Sequence, residues 1–290
     1  MRHIDHIVVA VRNLDEAGDF YRKLGFQVGV RNRHPWGTEN RLIQFRSSFI
    51  ELITAGENAT TIPRHEERSF SFGAFVRDYL RKHEGLAMLV LNSTDAKADA
   101  SLFAKKGIGD FEPFTFERTG RRPDGSETCV AFTLAFALDA KIPDAAFFVC
   151  QQHFPENFWN TDFQRHTNGA TNISAVTLAA PEPAAHAAFL SVFSGAESQQ
   201  GLGGNRFFRL DGGRIDVFRN AGKEGSSVAA PLLTSFSVRG VDIARQASTL
   251  QSADIPFKAV EDMLTVPPRA AFGVEIRFEI EGSASPTPSK

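Results

Sequence analysis

Apolar and polar positions in the first part of the chain follow an order that predicts five elements. Residues 4–11 form a β-branched run that is typical of a buried strand. Asn13 is a suitable N-cap for a helix, because the apolar residues that follow it recur at helical spacing. Three further strands are predicted over residues 26–30, 40–45 and 49–53, the last two as a hairpin. Together these elements make a β-α-β-β-β unit.

The same order of elements recurs along the chain, which indicates four β-α-β-β-β modules. They lie near residues 3–54, 85–153, 172–219 and 232–281. We predict an α+β fold in which the modules pair into two domains, with curved mixed sheets around cavities and helices outside. The domains are assigned to residues 1–168 and 169–281, and residues 282–290 to a disordered tail. Residues 64–84 are a connector that we expect to be partly helical.

The composition is that of a globular protein and excludes several classes of function. The chain has 290 residues, with 32 basic and 34 acidic side chains that give a net charge of −2. That balance does not provide the excess of basic side chains that nucleic-acid-binding proteins use. No apolar run is long enough to span a membrane. Because Asp5 interrupts the N-terminal apolar run, we expect no secretion signal and a cytoplasmic location. There are 27 Phe against 2 Tyr and 2 Trp, so buried aromatic surface should be extensive.

Two ionisable residues lie where the strand pattern predicts burial. His6 shares a face of the first strand with Val8, and Glu51 shares a face of the last strand with Phe49 and Ile53, because side chains alternate. An unpaired buried carboxylate is costly, so Glu51 needs a partner, a cation or a wet cavity. Imidazole and carboxylate are suitable metal ligands. The two side chains could also bond each other, the backbone or water inside a packed sheet, and the pattern alone favours that structural role.

Three stretches of the first module form a recognisable set: Asp5–Val11, Phe20–Phe26 and Phe49–Ile53. Together they resemble the vicinal-oxygen-chelate superfamily, which includes glyoxalase I, methylmalonyl-CoA epimerase, extradiol dioxygenases and bleomycin-resistance proteins. The segment His34–Arg41 resembles its glyoxalase-like branch. The resemblance implies that two modules close a U-shaped sheet around a divalent metal. It does not specify the reaction, because this fold hosts several chemistries.

The resemblance implies a metal site in the first domain, with ligands from the first and last strands of the modules. Its ligand positions fall on His6 and Glu51, and we predict His153 as the third ligand, with Cys150 or Gln152 as alternatives. The expected ion is Zn, Ni, Mn or Fe. The positions of the other modules that correspond to His6 carry no good donor for such an ion: Met88, Ala175 and Leu233. An incomplete ligand set also fits a metal-free binding cavity.

The loop that follows the second predicted strand adds candidates for substrate chemistry. We predict His34 and Glu51 as catalytic groups, His34 because an imidazole exchanges protons near neutral pH. Arg41 is predicted to hold the substrate, together with Trp36 and Gln152. The loop also fits a purely structural role in which Trp36 is a packing anchor.

Three classes of function stay open at this point. The first, which we predict, is a divalent-metal-dependent lyase, isomerase or dioxygenase that acts on a small oxygenated substrate. The alternative is a metal-free protein that binds or sequesters a small molecule, as bleomycin-resistance proteins do. The third is a partner-binding protein whose cavities are filled by Phe side chains. We expect a small-molecule ligand, neither nucleic acid nor membrane as a partner, and a monomer or weak homodimer.

Overall fold

The first half of the chain forms one eight-stranded sheet, in a computed structural model that describes residues 1–56, 62–121, 127–220 and 230–282. The strands run in the order β2-β3-β4-β1-β5-β8-β7-β6. The elements of this half are β1 (Ile4–Ala10), α1 (Leu14–Lys23), β2 (Asn32–Arg33), β3 (Thr38–Gln44), β4 (Phe49–Ala55), α2 (Phe72–Lys82), β5 (Gly85–Asn92), α3 (Ala96–Lys106), β6 (Phe114–Arg121), β7 (Glu127–Ala137), β8 (Ala146–Gln152) and α4 (Pro155–Phe158).

The second half repeats this topology in a second eight-stranded sheet, with the order β10-β11-β12-β9-β13-β16-β15-β14. Its elements are β9 (Asn172–Ala180), α5 (Ala187–Ser194), β10 (Gln199–Gln200), β11 (Arg206–Leu210), β12 (Gly213–Arg219), β13 (Leu232–Arg239), α6 (Ile243–Ser252), β14 (Lys258–Val260), β15 (Met263–Val266) and β16 (Glu275–Glu279). Among the helices of the described residues, none is long and apolar enough to cross a bilayer.

The pairing of the strands confirms the predicted α+β fold of four modules joined in pairs. In each sheet the first strands of two modules lie side by side and antiparallel, β1 with β5 and β9 with β13. Each first strand also pairs in parallel with the last strand of its own module. The domain boundary at residue 168 stays a prediction, and residues 283–290 of the expected tail lie outside the described residues.

Helix α1 forms where its sequence signals predict it. The Asn13 side chain accepts hydrogen bonds from the backbone N–H groups of Asp15 and Glu16, which caps the first turn. Gly25 follows the last turn with a φ of 88°, a left-handed conformation that favours glycine. The strand predicted over residues 26–30 is wrong. There the Gly29 N–H donates to the Leu42 carbonyl over 2.8 Å, but no strand ladder forms, and β2 begins only at Asn32.

Helix α2 lies in the connector between the first two modules, as predicted, and covers part of one face of the first sheet. Its N-cap is Ser71, whose hydroxyl accepts from the Ala74 N–H. The buried Val76 packs in one apolar cluster with Val8 and Ile53 of the sheet. We call this the inner face. The opposite, outer face packs on α1 and α3. The part of the inner face that α2 leaves open is where the candidate site lies.

Candidate functional site

A bulge in β1 places Asp5 beside His6. Across the β1–β5 pair, Ile4 lies opposite Leu91 and His6 opposite Val90, so Asp5 is an extra residue in its strand. A regular strand would turn neighbouring side chains to opposite faces, but here Asp5 Oδ1 lies 2.6 Å from His6 Nδ1. Asp5 is 2% exposed and His6 5%. The bulge therefore creates a buried carboxylate–imidazole pair.

The His6 ring is held on three sides. It stacks on Phe49 with 4.2 Å between ring centroids, and it meets the edge of Phe148 at 5.5 Å. Its partner Asp5 is fixed in turn, because Gln152 Nε2 donates to Asp5 Oδ2 over 2.8 Å. These contacts leave little freedom for the imidazole to rotate.

A chain of side-chain hydrogen bonds holds Glu51, which is 7% exposed. Asn40 Nδ2 donates to Glu51 Oε1 over 2.5 Å and lies 3.3 Å from His34 Nε2. His34 Nδ1 lies 2.8 Å from Thr38 Oγ1, and Asn32 donates to Asn40 Oδ1 over 3.2 Å. Because an amide nitrogen only donates, His34 Nε2 accepts from Asn40, and His34 carries its proton on Nδ1.

The surroundings of His34 favour its neutral form. Burial lowers the pKa of His34 below its ordinary value; Glu51 opposes this effect, and Arg118 adds to it. The ring also stacks on Trp36, with 4.6 Å between centroids. Both ring nitrogens are engaged with Thr38 and Asn40. His34 is thus placed to orient Asn40 and, through it, Glu51.

These groups line a cavity of about 530 Å³ on the inner face of the first sheet. That volume suits a small organic molecule. Nine of the residues that line it are Trp or Phe: Trp36, Phe49, Phe72, Phe114, Phe116, Phe132, Phe148, Phe158 and Phe163. The abundant Phe side chains of the sequence are thus concentrated partly around an open space.

Five of the seven predicted site residues lie in or next to this cavity. Those that line it directly are His6, His34, Trp36 and Glu51. Gln152 is next to it, since its amide bonds to Asp5 behind the His6 ring. The structure thus brings together residues from both ends of the first module and from the last strand of the second.

Arg41 and His153 do not line the cavity. Arg41 donates to Asp15 Oδ1 over 2.7 Å and to the Gly29 carbonyl over 3.0 Å, which places its guanidinium beside α1. His153 is exposed, and its Nε2 lies 2.8 Å from Thr133 Oγ1 on the other face of β7. The structure therefore brings neither Arg41 to the predicted substrate site nor His153 to the predicted metal site.

The strand register shows which residues of the second module take the places of His6 and Glu51. His6 follows the bulge in β1, and Met88 follows the corresponding bulge in β5. Glu51 pairs with Val8, which lies two positions after His6. Phe148 pairs in the same way with Val90, two positions after Met88. The second module therefore adds a thioether and a phenyl ring where the first has an imidazole and a carboxylate.

The assembled donors do not fit the predicted three-ligand metal site. Within the described ranges, no group of three or more His, Cys, Asp or Glu side chains is arranged to hold a metal ion. Cys150 lines the cavity, but burial raises the pKa of its thiol well above the ordinary value and keeps it protonated. His6 and Glu51 alone are fewer than the three protein ligands of catalytic zinc sites. The bound divalent ion stays a prediction.

Sequence reasoning missed two residues of the site, Asp5 and Asn40. Asp5 is a polar residue inside an otherwise buried β-branched run, which was a usable signal, but its direction depends on the bulge. Leu42 pairs with Glu51 across the hairpin. Asn40 lies two residues before Leu42, so its side chain is on the same face of the sheet as Glu51. Hairpin register was the signal that could have found Asn40.

The second sheet has different residues at the equivalent positions: Ala175, Ser235, Asp216 and Arg277. The sequence assignment of Leu233 as an equivalent of His6 is wrong by two residues, because a bulge at Thr234 shifts the register of β13. Burial raises the pKa of Asp216, whose carboxylate accepts from Arg214 Nε over 2.8 Å. An ion pair thus occupies this position in the second sheet.

The chain matches a family model described as a glyoxalase-like domain over residues 4–193. This match spans more than half of the sequence. The chain belongs to the glyoxalase-like domain family. The predicted resemblance to the vicinal-oxygen-chelate superfamily is confirmed. No curated protein matches this glyoxalase-like chain.

Solved structures resemble this glyoxalase-like protein along nearly its whole length. A hypothetical protein from Staphylococcus aureus is 14% identical, with a TM-score of 0.71 over 97% of this chain and 100% of that one. A mutant of 4-hydroxymandelate synthase from Streptomyces coelicolor is 11% identical, with a TM-score of 0.59 and coverages of 98% and 93%. A Mn(II)-bound glyoxalase from Novosphingobium aromaticivorans is 14% identical, with a TM-score of 0.57 and coverages of 99% and 84%. At these identities the likeness shows the fold alone.

Proposed function

We propose that the cavity of the first sheet binds a small oxygen-bearing organic molecule with an aromatic or similarly apolar body. One observation carries the proposal: His6 and Glu51, 5% and 7% exposed, line a cavity of about 530 Å³ whose wall includes nine Trp and Phe side chains. Burying ionisable groups costs free energy that an apolar core avoids. Such groups in a concave, apolar pocket mark a binding site.

The same two side chains suit proton transfer to or from the bound molecule. Asn40 donates to one carboxylate oxygen of Glu51, so the other, Oε2, is available to a ligand. Asp5 bonds to one ring nitrogen of His6, which leaves Nε2. Carboxylate and imidazole groups are common general acids and bases. We therefore propose chemistry of the isomerase or lyase type, with His6 and Glu51 as catalytic residues and His34 as a positioning residue.

The proposed binding does not require a metal ion. Mn(II) in the N. aromaticivorans glyoxalase is a property of that protein, whereas the described part of this chain brings two of the three predicted metal ligands, His6 and Glu51, to the cavity. We expect a chelator such as EDTA to leave ligand binding unchanged. A loss of binding on chelation, restored by Mn²⁺ or Zn²⁺, would instead support the metal site that the sequence predicts.

A second candidate is a binding protein without turnover, which sequesters its ligand. The aromatic lining favours it, because nine aromatic side chains can hold an apolar molecule without any reaction at His6 or Glu51. The polar groups would then set only the orientation of the ligand. Chemical analysis of a bound ligand before and after incubation separates the two candidates.

Thermal unfolding with 1-naphthol as a probe tests the binding proposal. This molecule combines a bicyclic aromatic body with one hydroxyl group. A ligand at about 100 times its Kd stabilises the native state by about 2.7 kcal/mol, so we expect a Tm increase of several degrees. Glu51→Gln should reduce the increase, and the control Glu275→Gln in the second sheet should not. No increase with the wild-type chain would contradict the proposal.

A further inference from the structure

The hydrogen bonds around His6 determine what the ring can offer a ligand. Asp5 Oδ1 lies 2.6 Å from His6 Nδ1, and a carboxylate only accepts. A neutral His6 therefore carries its proton on Nδ1. Its other nitrogen, Nε2, then has a free lone pair, and it has no hydrogen-bond partner among the side chains that the structure describes. Since the ring lines the cavity, that lone pair is available to a ligand.

Asp5 is itself held at both oxygens. Oδ1 is bonded to His6, and Oδ2 accepts from Gln152 Nε2 over 2.8 Å. With 2% exposure, the carboxylate has no access to solvent that would compete for these bonds. The bulge sets its direction, and the amide prevents it from turning away.

The hydrogen bonds around Glu51 likewise leave its second carboxylate oxygen, Oε2, as an acceptor for a ligand. Asn40 Nδ2 directs one hydrogen to Glu51 Oε1 and the other to His34 Nε2, so the amide has no further hydrogen for a ligand. His34 directs its own proton to Thr38. Two buried acceptors, His6 Nε2 and Glu51 Oε2, thus face the cavity from the neighbouring strands β1 and β4. The guanidinium donors that also line the cavity, Arg33 and Arg118, belong to exposed residues.

We infer that Asp5 is a positioning residue that fixes His6 as a hydrogen-bond acceptor, and that the ligand is recognised as a donor. Its class is then a phenol, an enol or another hydroxyl-bearing molecule with an apolar body, not an ether or a ketone that only accepts. This inference rests on the binding role proposed above and narrows the ligand class. An acceptor-only ligand would face two acceptors and gain no hydrogen bond from them.

Two measurements on the full chain test it with 1-naphthol and its methyl ether, 1-methoxynaphthalene. The first is the ¹⁵N spectrum of histidine-labelled protein at about pH 8, above the ordinary imidazole pKa. His6→Gln identifies the His6 signals among those of 8 His. We expect protonation on Nδ1 in the wild type, a mixture of tautomers in Asp5→Leu, and a shift of Nε2 with 1-naphthol alone. The second is calorimetry, in which 1-naphthol should bind about tenfold or more tightly than the ether.

The outcomes separate the inference from the proposed function. A wild-type His6 protonated on Nε2, or an unchanged tautomer in Asp5→Leu, would overturn the role of Asp5. The wild-type tautomer decides this point even if Asp5→Leu fails to fold. Equal affinity for the two probes would overturn the donor class. If neither probe binds, the proposed function fails together with the ligand class, whereas the tautomer is measured without ligand and still decides what Asp5 does.

Discussion

Asn40 is the residue on which the position of Glu51 depends most directly. Asn40→Leu keeps a side chain of similar size but removes the amide that donates to Glu51 Oε1. Removing the partner of a buried polar group costs about 1–3 kcal/mol, or more for a charged one. We expect at least this loss in the free energy of unfolding, measured by urea denaturation. The control is Asn32→Leu, which leaves the bond between Asn40 and Glu51 in place. Equal losses in both variants would contradict this account of Glu51.

His166 makes stability depend on pH. Burial lowers the pKa of His166 to about 4, while its bond to the Gln44 carbonyl opposes the shift. Its Nδ1 accepts from the Gln27 N–H over 3.0 Å, so protonation there would break that bond. Since the unfolded chain has the higher pKa, near 6.5, it binds more protons between pH 6.5 and 4. The contribution to stability is therefore present at neutral pH and is lost as the pH falls through this window.

Urea denaturation of the wild type and of His166→Gln at two pH values measures this contribution. The difference in unfolding free energy between them should fall by about 2 kcal/mol from pH 7 to pH 5, at 1.36 kcal/mol for each pKa unit. A difference that does not change with pH would show that His166 titrates normally in the folded chain.

The candidate site could be predicted from the sequence only where strand alternation decides the face. Alternation predicts the shared faces of His6 with Val8 and of Glu51 with Phe49, and both ionisable side chains line the cavity, while their roles there stay a prediction. The same rule puts Arg41 on the face opposite its neighbour Asn40, against the role predicted for it. Asp5 could not be placed in this way, because a bulge depends on the partner strand and not on the local sequence.

At the scale of elements, the sequence predicted those helices and strands whose stabilising contacts lie within one short segment. Helix α1 has its cap, its spacing and its terminal glycine within one segment, and it forms as predicted. The missed strand over residues 26–30 needed a partner that only the tertiary fold supplies, and Val30 there is 77% exposed. The place of α2 on the inner face of the first sheet was also beyond sequence reasoning, because its contacts are with distant strands.

The N-cap of α2 gives a prediction for the helix that covers the inner face. The Ser71 hydroxyl accepts from the Ala74 N–H and donates to the Pro63 carbonyl. Ser71→Ala should lower the free energy of unfolding by about 1 kcal/mol, as N-cap replacements commonly do. Denaturant midpoints measure the change, with Ser101→Ala on the exposed side of α3 as the control. A smaller loss in Ser71→Ala than in Ser101→Ala would refute the capping role.

At the scale of the whole molecule, the two sheets share one apolar core. The outer faces of both sheets and the helices on them belong to a single buried cluster. Rings from the two halves meet within it, Phe147 with Phe189 at 5.0 Å and Phe20 with Phe272 at 5.6 Å. A partly buried pair also crosses between the halves, since His186 Nδ1 lies 2.9 Å from Asp139 Oδ2. A chain cut at the predicted boundary would expose this core.

The oligomeric state is a separate question. That the chain is a monomer or a weak homodimer stays a prediction, which light scattering can test.

This shared core predicts cooperative unfolding of the two halves. Neither sheet keeps its outer face buried without the other, so we expect one calorimetric transition with equal van't Hoff and calorimetric enthalpies. Phe147→Ala should cost about 3–5 kcal/mol and shift the whole transition to lower temperature. Two separable transitions, only one of them shifted by the substitution, would show that the halves are independent domains.

The central claim is that a small molecule binds in the cavity of the first sheet, and filling that cavity tests it most directly. Val130 lines the cavity, so Val130→Trp should occupy part of it. The matched control is Phe207→Trp, which introduces the same side chain beside Asp216 in the second sheet. Calorimetric titration with 1-naphthol should give one site in the wild type and in Phe207→Trp, and at least tenfold weaker binding in Val130→Trp. Undiminished binding by a folded Val130→Trp chain would contradict the claim.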